Sequence, residues 1–396
     1  MIRMASASSL IERMCQPPRH RIDTCWPVRP NVRVGMAWFT LFLPLLSVIV
    51  FSESLAYGRL GAMGRLHVVT GATGLLGSHV AEQLRQRGER VRAITRGSSN
   101  TEFLRSLGVE LVEADLEQAG SLLRAVDGAD IVYHCAARVG DWGTWPLFQR
   151  AVIEATGNLL VACQTAGIGR FLHVSSINVY GHLPPRQGRI AEDEPLGQNL
   201  WMWDYYCRAK IAAEGLVQAY PQPWTIVRPS WMYGARDRTS LPRVVTAIRR
   251  GRARIVGDGN NRLNIVYTPD VADGVLRAAS EPKAVRRAYN LSSEGDVTQR
   301  EFLNVLTREL GLPRVNRRVS YFQAFAFGLI VEALGRALRW DRPPPITRYA
   351  VALIGRTTSF SIERAKTELG WSPRTHPFEG LRATLEWFKP YLGRSR

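Results

Sequence analysis

The chain has 396 residues, of which 45% are hydrophobic and 22% are charged, and its formal net charge is +18. This length and composition indicate a globular protein with one large or two ordinary domains and exclude a disordered chain. Arginine supplies most of the basic charge, but no basic block or nucleic-acid motif accompanies it, so we favour a solvated basic surface over nucleic-acid binding. The five cysteines are far apart and lack Cys-x-x-Cys spacing, which indicates reduced thiols and no metal site.

Residues 1–62 form an N-terminal extension outside the predicted fold. An arginine-rich stretch precedes an apolar run over residues 36–51, which contains Pro44 and is shorter than the roughly 20 residues that a membrane-spanning helix needs. Together with Ser54-Leu55-Ala56, this run is similar to a secretory signal. We rank export below two alternatives: the run anchors the protein at the inner face of a membrane, or translation begins at Met63. We slightly favour the second.

From Met63 onward, strand and helix patterns alternate, which predicts an α/β fold with a Rossmann-like, doubly wound parallel sheet. We assign residues 63–235 to a dinucleotide-binding domain and residues 236–396 mainly to a smaller C-terminal substrate-binding lobe, interleaved with the sheet. The alternation is expected to end at Pro229. The predicted strands after the first are 90–95, 110–113, 131–134, 171–175 and 224–228, and the predicted helices are 75–87, 122–126, 148–165 and 205–219. Beyond Pro229 we predict helices at 241–250, 270–280 and 300–310 and short strands at 265–267 and 289–291.

The first strand ends in a glycine-rich turn at Gly71, Gly74 and Gly77. In a dinucleotide-binding turn, the first glycine permits a tight bend, the second lets the backbone approach the pyrophosphate, and the third lets the helix pack close to the sheet. The N-terminus of the following helix then offers N–H groups to the anion. The alternative is an ordinary strand-to-helix turn that is rich in glycine.

The end of the second strand bears on the choice of cofactor. NAD-specific proteins carry an acid there, about 20 residues past the glycines, to bind the ribose 2′-hydroxyl. Here Thr95 stands in that place and Arg96 follows it. An arginine can pair with a 2′-phosphate, so we favour NADP(H), with NAD(H) as the alternative. The competing interpretation of Arg96 is a solvated surface charge.

A second motif, Tyr206-x-x-x-Lys210, follows a strand that ends in Ser175-Ser176. Tyrosine and lysine four residues apart lie on one face of a helix, where the ammonium would lower the phenol pKa from its usual value near 10. Tyr206 would then exchange a proton with a substrate hydroxyl while Ser176 hydrogen-bonds the substrate oxygen. The alternative is an amphipathic helix with a packed tyrosine and an exposed lysine. The position downstream of a dinucleotide turn favours catalysis.

In order and spacing, these motifs resemble those of the extended short-chain dehydrogenases. Further stretches that carry the resemblance lie at 134–137, 175–181, 228–230, 256–272 and 360–381, so it extends from Met63 to the end of the chain. Within the family, residues 139–143 and the apolar segment before residues 343–349 are most similar to the 3β-hydroxysteroid dehydrogenase branch. That branch includes sterol-4α-carboxylate 3-dehydrogenases and bacterial 2-alkyl-3-oxoalkanoate reductases.

The resemblance implies hydride transfer between a nicotinamide and a secondary alcohol or ketone of a large apolar substrate, such as a 3β-hydroxysteroid or a 3-oxo acid. It implies that Tyr206 is the acid/base, that Lys210 holds the nicotinamide ribose, and that Ser176 positions the carbonyl. The implied cofactor-binding residues are Gly71, Thr73, Gly74, Leu75, Leu76, Gly77, Arg96, Asp115, Leu116, Ala136, Tyr206 and Lys210.

Three other interpretations stay open. A nucleotide-sugar epimerase on the same fold is not excluded by motif, whereas dehydration is disfavoured because Ile177 and Asn178 stand where dehydratases carry an acidic pair. A non-catalytic NADP(H)-sensing protein is disfavoured because such relatives usually lack Tyr206 and Lys210. Arg228 either lies near the substrate cleft or forms an ordinary structural ion pair.

Aromatic side chains in loops after the strands suggest an apolar substrate, although some of them will belong to the core. They are Trp142, Trp145, Trp201, Trp203, Trp231 and Tyr233. The segment 321–338 is apolar on much of its predicted helical circumference, and we favour a buried core helix over contact with a membrane or lipid substrate. We expect a cytoplasmic protein, free or held at the inner face of the membrane through 36–51 or 321–338, and a homodimer is left open.

Overall fold

The computed structural model describes residues 64–183, 188–294 and 297–392, and the extension with its apolar run and Met63 lies outside them. The strands are β1 (Leu66–Thr70), β2 (Arg90–Thr95), β3 (Glu110–Glu113), β4 (Ile131–His134), β5 (Arg170–Val174), β6 (Trp224–Pro229), β7 (Trp231–Tyr233), β8 (Ile255–Val256), β9 (Arg262–Leu263), β10 (Ile265–Tyr267), β11 (Arg287–Leu291), β12 (Val297–Thr298) and β13 (Arg318–Val319). Seven of them form one sheet in the order β3-β2-β1-β4-β5-β6-β11, and every pairing in it is parallel. The predicted doubly wound sheet is therefore confirmed.

Helices cover both faces of this sheet. They are α1 (Leu75–Gln86), α2 (Glu102–Ser106), α3 (Leu122–Val126), α4 (Trp145–Phe148), α5 (Ala155–Thr165), α6 (Tyr205–Gln218), α7 (Ser240–Arg249), α8 (Thr268–Ser280), α9 (Gln299–Glu309), α10 (Tyr321–Ala337), α11 (Arg348–Gly355), α12 (Glu363–Leu369) and α13 (Pro377–Leu392). One hydrophobic cluster joins the sheet to α1, α8 and α12, and a second joins it to α3, α5 and α6. A π-helical turn, Gln149–Glu154, interrupts the helix predicted over 148–165.

The apolar periodicity of α1 explains its position. Val80, Ala81 and Leu84 are buried in the core, and the helix ends where Gly88 adopts a left-handed conformation with φ of +78°. Glycine takes this conformation without steric cost, which suits Gly88 to the end of a helix. The periodic stripe therefore docks α1 against the sheet, with its N-terminus at the end of β1.

The C-terminal half contributes directly to the large sheet, which corrects the expectation that the alternation ends at Pro229. Strand β11 pairs with β6 along its length, from Arg287 opposite Thr225 to Leu291 opposite Pro229. Helix α8 packs against α1, where the Gln83 side chain donates to the carbonyl of Pro269 at 2.8 Å. Residues from Leu66 onward accordingly form a single compact unit.

A smaller core lies beside the sheet in the C-terminal half. It is built from α7, α9 and α13 through side chains such as Leu241, Phe302 and Leu385. Three two-stranded pairs, β7 with β10, β9 with β12 and β8 with β13, connect the loops around it. The helices predicted at 241–250, 270–280 and 300–310 are all present, within two residues of their predicted bounds.

Helix α10 is not a core helix, contrary to the interpretation we favoured for 321–338. Its buried residues are Ala324, Gly328, Glu332 and Gly335, whereas Phe322 is 82% exposed and Ile330 57% exposed. Sequence hydrophobicity alone could not distinguish a buried helix from one whose small residues face the protein. In the described ranges, no helix combines the length and the hydropathy needed to cross a bilayer.

Candidate active site

The glycine turn after β1 has no room for side chains. Gly71 has φ of +65°, and a Cβ there would lie 2.7 Å from the Cα of Ala136. A Cβ on Gly77 would overlap the carbonyl oxygen of Gly71. Gly74 caps α1 without any side-chain hydrogen bond, so the first N–H groups of the helix have no side-chain acceptor. A close turn with free helical N–H groups fits the diphosphate of a dinucleotide.

Buried polar groups hold this turn against the next strand. A 2.8 Å hydrogen bond joins Thr70 Oγ1 to Nδ1 of His134, whose Nε2 lies 3.0 Å from Thr156 Oγ1. The amide of Ala136 donates to Thr70 Oγ1 at 3.2 Å. Burial, aided by the charge of Lys210, lowers the pKa of His134 to about 3, so its imidazole is neutral. Sequence reasoning quoted His134 only as part of a motif and missed this supporting role.

The predicted cofactor residues lie where parallel strands end. Gly71 follows β1, Arg96 follows β2, Asp115 follows β3 and Ala136 follows β4, so all four lie at the carboxyl edge of the sheet, where dinucleotides bind. Thr73, Leu75, Asp115 and Leu116 are half-buried, whereas the Leu76 side chain is buried in the hydrophobic core. Leu76 is thus available to a ligand only through its backbone.

The acidic residue Glu113 lies beside the segment that carries Arg96, and sequence reasoning did not identify it. Arg96 is exposed, and the described residues give its side chain no hydrogen bond or ion pair. Thr95 pairs with Glu113 of β3, and a Cβ on Gly97 would lie 2.5 Å from the Glu113 carboxylate. Strand pairing brings the two positions together across 18 residues of sequence, so no local pattern predicts it. Charges of both signs therefore border the expected ribose site.

The structure brings Ser176, Tyr206 and Lys210 together. Ser176 lies just past β5 and caps the turn Ile177–Tyr180 by accepting a hydrogen bond from the Asn178 amide at 3.2 Å. Tyr206, in the first turn of α6, lies near Ser176, whose side chain acts on the phenol electrostatically. Lys210, one turn later, is 2% exposed, and its Nζ donates to the Val174 carbonyl at 2.8 Å. A phenol, a hydroxyl and an ammonium therefore converge at the end of β5.

The electrostatics of this cluster differ from the expectation that Lys210 lowers the phenol pKa. Burial raises the pKa of Tyr206 to about 12, and the Ser176 side chain acts in the opposite direction. Burial lowers the pKa of Lys210 to about 8, against the attraction of Glu214. Desolvation dominates both groups because each charge would be far from water. In the protein alone, the neutral phenol is therefore strongly favoured.

Arg228 belongs to a buried ion-pair network. Its Nε and Nη2 donate to the two carboxylate oxygens of Glu214 at 3.0 and 2.7 Å, and its Nη1 donates to the Tyr180 hydroxyl at 2.9 Å. Arg228 is 3% exposed and Glu214 is fully buried. Glu214 lies one turn after Lys210 on α6, so the ion pair between Arg228 and Glu214 links α6 to β6. Of our two interpretations of Arg228, the structural ion pair is confirmed.

Tyr349 is a further residue at this cluster, and sequence reasoning missed it. The Asn178 side chain donates to the Tyr349 hydroxyl at 2.8 Å, across 171 positions of sequence. Burial raises the pKa of Tyr349, and the neighbouring Tyr206 acts in the same direction. Thr347, which caps α11, is hydrogen-bonded to Asp141. Helix α11 therefore contributes Tyr349 to the candidate site from the C-terminal half.

A cavity lies beside Asn178 and Tyr349. Its lining includes Asn178, His182 and Tyr349, together with Arg356 and apolar side chains such as Phe360. Trp201 stacks on His182 with ring centroids 3.5 Å apart. The cavity thus combines an apolar wall with polar groups near Tyr206.

The predicted aromatic lining divides into two groups. The Arg336 guanidinium of α10 lies 4.8 and 5.0 Å from the ring centroids of Trp142 and Trp203. Trp231 and Tyr233 instead pack in or against the smaller C-terminal core. Trp201 is connected to the cavity through His182, on which it stacks.

Comparisons with known proteins show which family the chain belongs to. Residues 67–292 match the NAD dependent epimerase/dehydratase family. The chain is 32% identical to a 2-alkyl-3-oxoalkanoate reductase of Stenotrophomonas maltophilia (strain K279a), covering 80% of this chain and 97% of that protein. It is 26% identical to a decarboxylating sterol-4-alpha-carboxylate 3-dehydrogenase of Mus musculus, covering 81% and 90%. The solved structure of MoeE5 in complex with UDP-glucose and NAD is similar with a TM-score of 0.64 and 26% identity, covering 83% of this chain and 100% of that one.

Proposed function

We propose that this member of the NAD dependent epimerase/dehydratase family reduces the ketone of a large apolar substrate. As an extended short-chain dehydrogenase, it acts on CH–OH or C=O groups. The substrate class we propose is a 3-oxo acid or a 3-oxosteroid. The observation that carries this proposal is the convergence of Ser176, Tyr206 and Lys210 at the end of β5, with Tyr206 and Lys210 one turn apart on α6 and Lys210 bonded to the Val174 carbonyl. Apolar side chains such as Phe360 in the wall of the cavity beside Tyr349 suit an apolar group of the substrate.

The protonation state of Tyr206 is our reason for favouring ketone reduction over alcohol oxidation. A phenol with a pKa of about 12 carries its proton at neutral pH and can donate it to the oxygen of a ketone that is being reduced. The bound nicotinamide would supply the hydride. Ser176 donates a hydrogen bond to the same substrate oxygen and orients the carbonyl. Lys210 supplies positive charge near the phenolate that forms, which stabilises it in a poorly solvated site.

The residues of the nucleotide site lead us to propose NADP(H) over NAD(H). Arg96 has no described partner and can bind a 2′-phosphate, whereas the Glu113 carboxylate nearby opposes that charge. We give Arg96 the larger effect because its long side chain can move away from Glu113 toward the phosphate. The diphosphate would lie on the turn formed by Gly71, Gly74 and Gly77.

Replacing Tyr206 by phenylalanine tests the proposal directly. We expect Tyr206→Phe to lower kcat for ketone reduction by a factor of roughly 10² to 10⁴, the usual contribution of a positioned general acid. Tyr205→Phe is the matched control, since Tyr205 precedes it on α6 and packs against Trp145 instead. Activity is measured as NADPH and NADH oxidation with 3-oxosteroids, 2-alkyl-3-oxo acids and nucleotide sugars. Unchanged reduction by Tyr206→Phe would refute the role of the phenol.

A nucleotide-sugar epimerase is the second candidate, and the likeness to MoeE5 favours it. Such an enzyme would retain its dinucleotide through purification and interconvert sugar nucleotides without net oxidation of added cofactor. Turnover of nucleotide sugars alone, with every ketone inert, would replace our proposal with this one.

A further inference from the structure

Helix α10 contacts the protein through a stripe of small residues. A Cβ on Gly328 would lie 3.1 Å from the backbone nitrogen of Arg348, and one on Gly335 would lie 3.0 Å from the Trp142 ring. Together with Ala324 and Glu332, these glycines form the buried side of the helix. The close approach leaves the large side chains of α10 on the opposite side, away from the protein.

That opposite side is an exposed apolar surface, which we call the α10 face. It consists of Phe322, Phe327, Leu329, Ile330 and Leu334, and continues into Leu338 and Trp340. Within the described ranges, eleven large hydrophobic side chains are exposed, and these seven are among them. Scattered exposed side chains are ordinary, but a concentration of them on one helix indicates a surface that another partner covers.

The charges around the α10 face have a definite arrangement. Between Tyr321 and Gly335 the single charged residue is Glu332, which is buried and paired with Arg348 at 2.8 Å. Both ends of the helix carry exposed arginines, namely Arg314, Arg317 and Arg318 before it and Arg339 and Arg342 after it, with Asp341 as the one exposed acid there. An uncharged apolar stripe bounded by basic residues is typical of a helix that lies in the headgroup region of an anionic bilayer.

The same arrangement disfavours a second copy of this chain as the partner. A two-fold interface brings the same patch of both subunits together. Because both ends of α10 are basic, arginines would face arginines whether the paired helices ran parallel or antiparallel, and such contacts are repulsive. Phosphate headgroups instead supply the complementary charge.

We propose that the α10 face docks this protein on an anionic lipid surface. The apolar side chains enter the interface and the flanking arginines contact lipid phosphates. The proposal does not depend on the reaction, but it has a consequence for it. Helix α10 packs against α11, which carries Tyr349, so docking holds the cavity side of the protein near dissolved apolar substrate.

Vesicle co-sedimentation of the full chain tests the proposal. Vesicles of phosphatidylcholine alone are compared with vesicles that also contain phosphatidylglycerol. We expect binding to the anionic vesicles, and a combined Phe322→Ser, Phe327→Ser and Ile330→Ser variant should bind them at least about tenfold more weakly. The matched control combines Leu123→Ser and Val161→Ser, which remove exposed side chains on α3 and α5 and should leave binding unchanged.

A second variant separates the electrostatic contribution. Arg339→Gln combined with Arg342→Gln should weaken binding to anionic vesicles, and added salt should weaken binding of the unmodified protein in the same way. Circular dichroism of each variant verifies folding.

Three results would overturn the proposal. The triple serine variant could sediment with anionic vesicles as well as the unmodified chain, which would assign the contact to another segment such as 36–51. The unmodified protein could fail to sediment with either kind of vesicle. Light scattering could detect a dimer that the serine variant converts to a monomer without any vesicle binding, which would make a second copy the partner.

Discussion

At the residue scale, burial controls the chemistry of the candidate site more than neighbouring charges do. Tyr206 and Lys210 were predicted from their four-residue spacing, and the structure brings both to Ser176. The predicted lowering of the Tyr206 pKa was wrong, because burial dominates it and depends on the loops and on α11, which pack over the site from distant parts of the sequence. Glu113 and Tyr349 were missed for the same reason: their neighbours at the site are far away in the chain.

The lysine predicts a pH dependence. Lys210 is protonated below a pKa of about 8, whereas Tyr206 keeps its proton up to about 12. We therefore expect kcat/KM for ketone reduction to be level at neutral pH and to fall as the pH rises through about 8, because the charge that stabilises the phenolate is then lost. Lys210→Arg keeps its charge and should move this fall to higher pH. A fall that stays in place in this variant would assign the titration to another group.

Arg96 predicts the cofactor preference. Arg96→Gln should reduce the ratio of kcat/KM for NADPH to that for NADH by about tenfold or more, since hydrogen bonds to charged groups contribute roughly 1.5–3 kcal/mol. Glu113→Gln should change the same ratio in the opposite direction. Arg124→Gln removes an exposed arginine from α3 and is the control. If the ratio is the same in Arg96→Gln as in the control, Arg96 does not bind the phosphate.

At the element scale, most helices and strands could be predicted because their periodicity is local. The strand Ile131–His134 was predicted with its observed bounds, and α6 within one residue. The interpretation of α10 failed because hydrophobicity does not specify which side of a helix faces the protein. The small residues at Gly328 and Gly335 were the available signal, since they permit close packing on the side that lacks large side chains.

The ion pair between Arg228 and Glu214 should stabilise the attachment of α6 to β6. Arg228→Met leaves the Glu214 carboxylate buried without its partner, and we expect a loss of about 3–5 kcal/mol in the free energy of unfolding. Adding Glu214→Leu should recover much of that loss by removing the isolated charge. Urea unfolding of both variants measures this. A double variant less stable than Arg228→Met would contradict the explanation.

At the scale of the whole molecule, the sequence predicted the class of the fold and a C-terminal half interleaved with the sheet, but not that β11 would pair with β6. The alternation seemed to end at Pro229 because the following segment contains short strands and irregular loops. The pairing of β11 with β6 is a contact between strands 58 or more residues apart, so no local pattern indicates it. The candidate site is likewise assembled from distant parts of the chain, as the hydrogen bond between Asn178 and Tyr349 shows.

The position of β11 also has a consequence for synthesis on the ribosome. When the chain has been made only as far as Pro229, β6 is the last strand of the nascent sheet, and its backbone N–H and C=O groups lie along an open edge. Leu291 must leave the ribosome before that edge is covered. Until then the intermediate offers an open strand edge to which another chain can add.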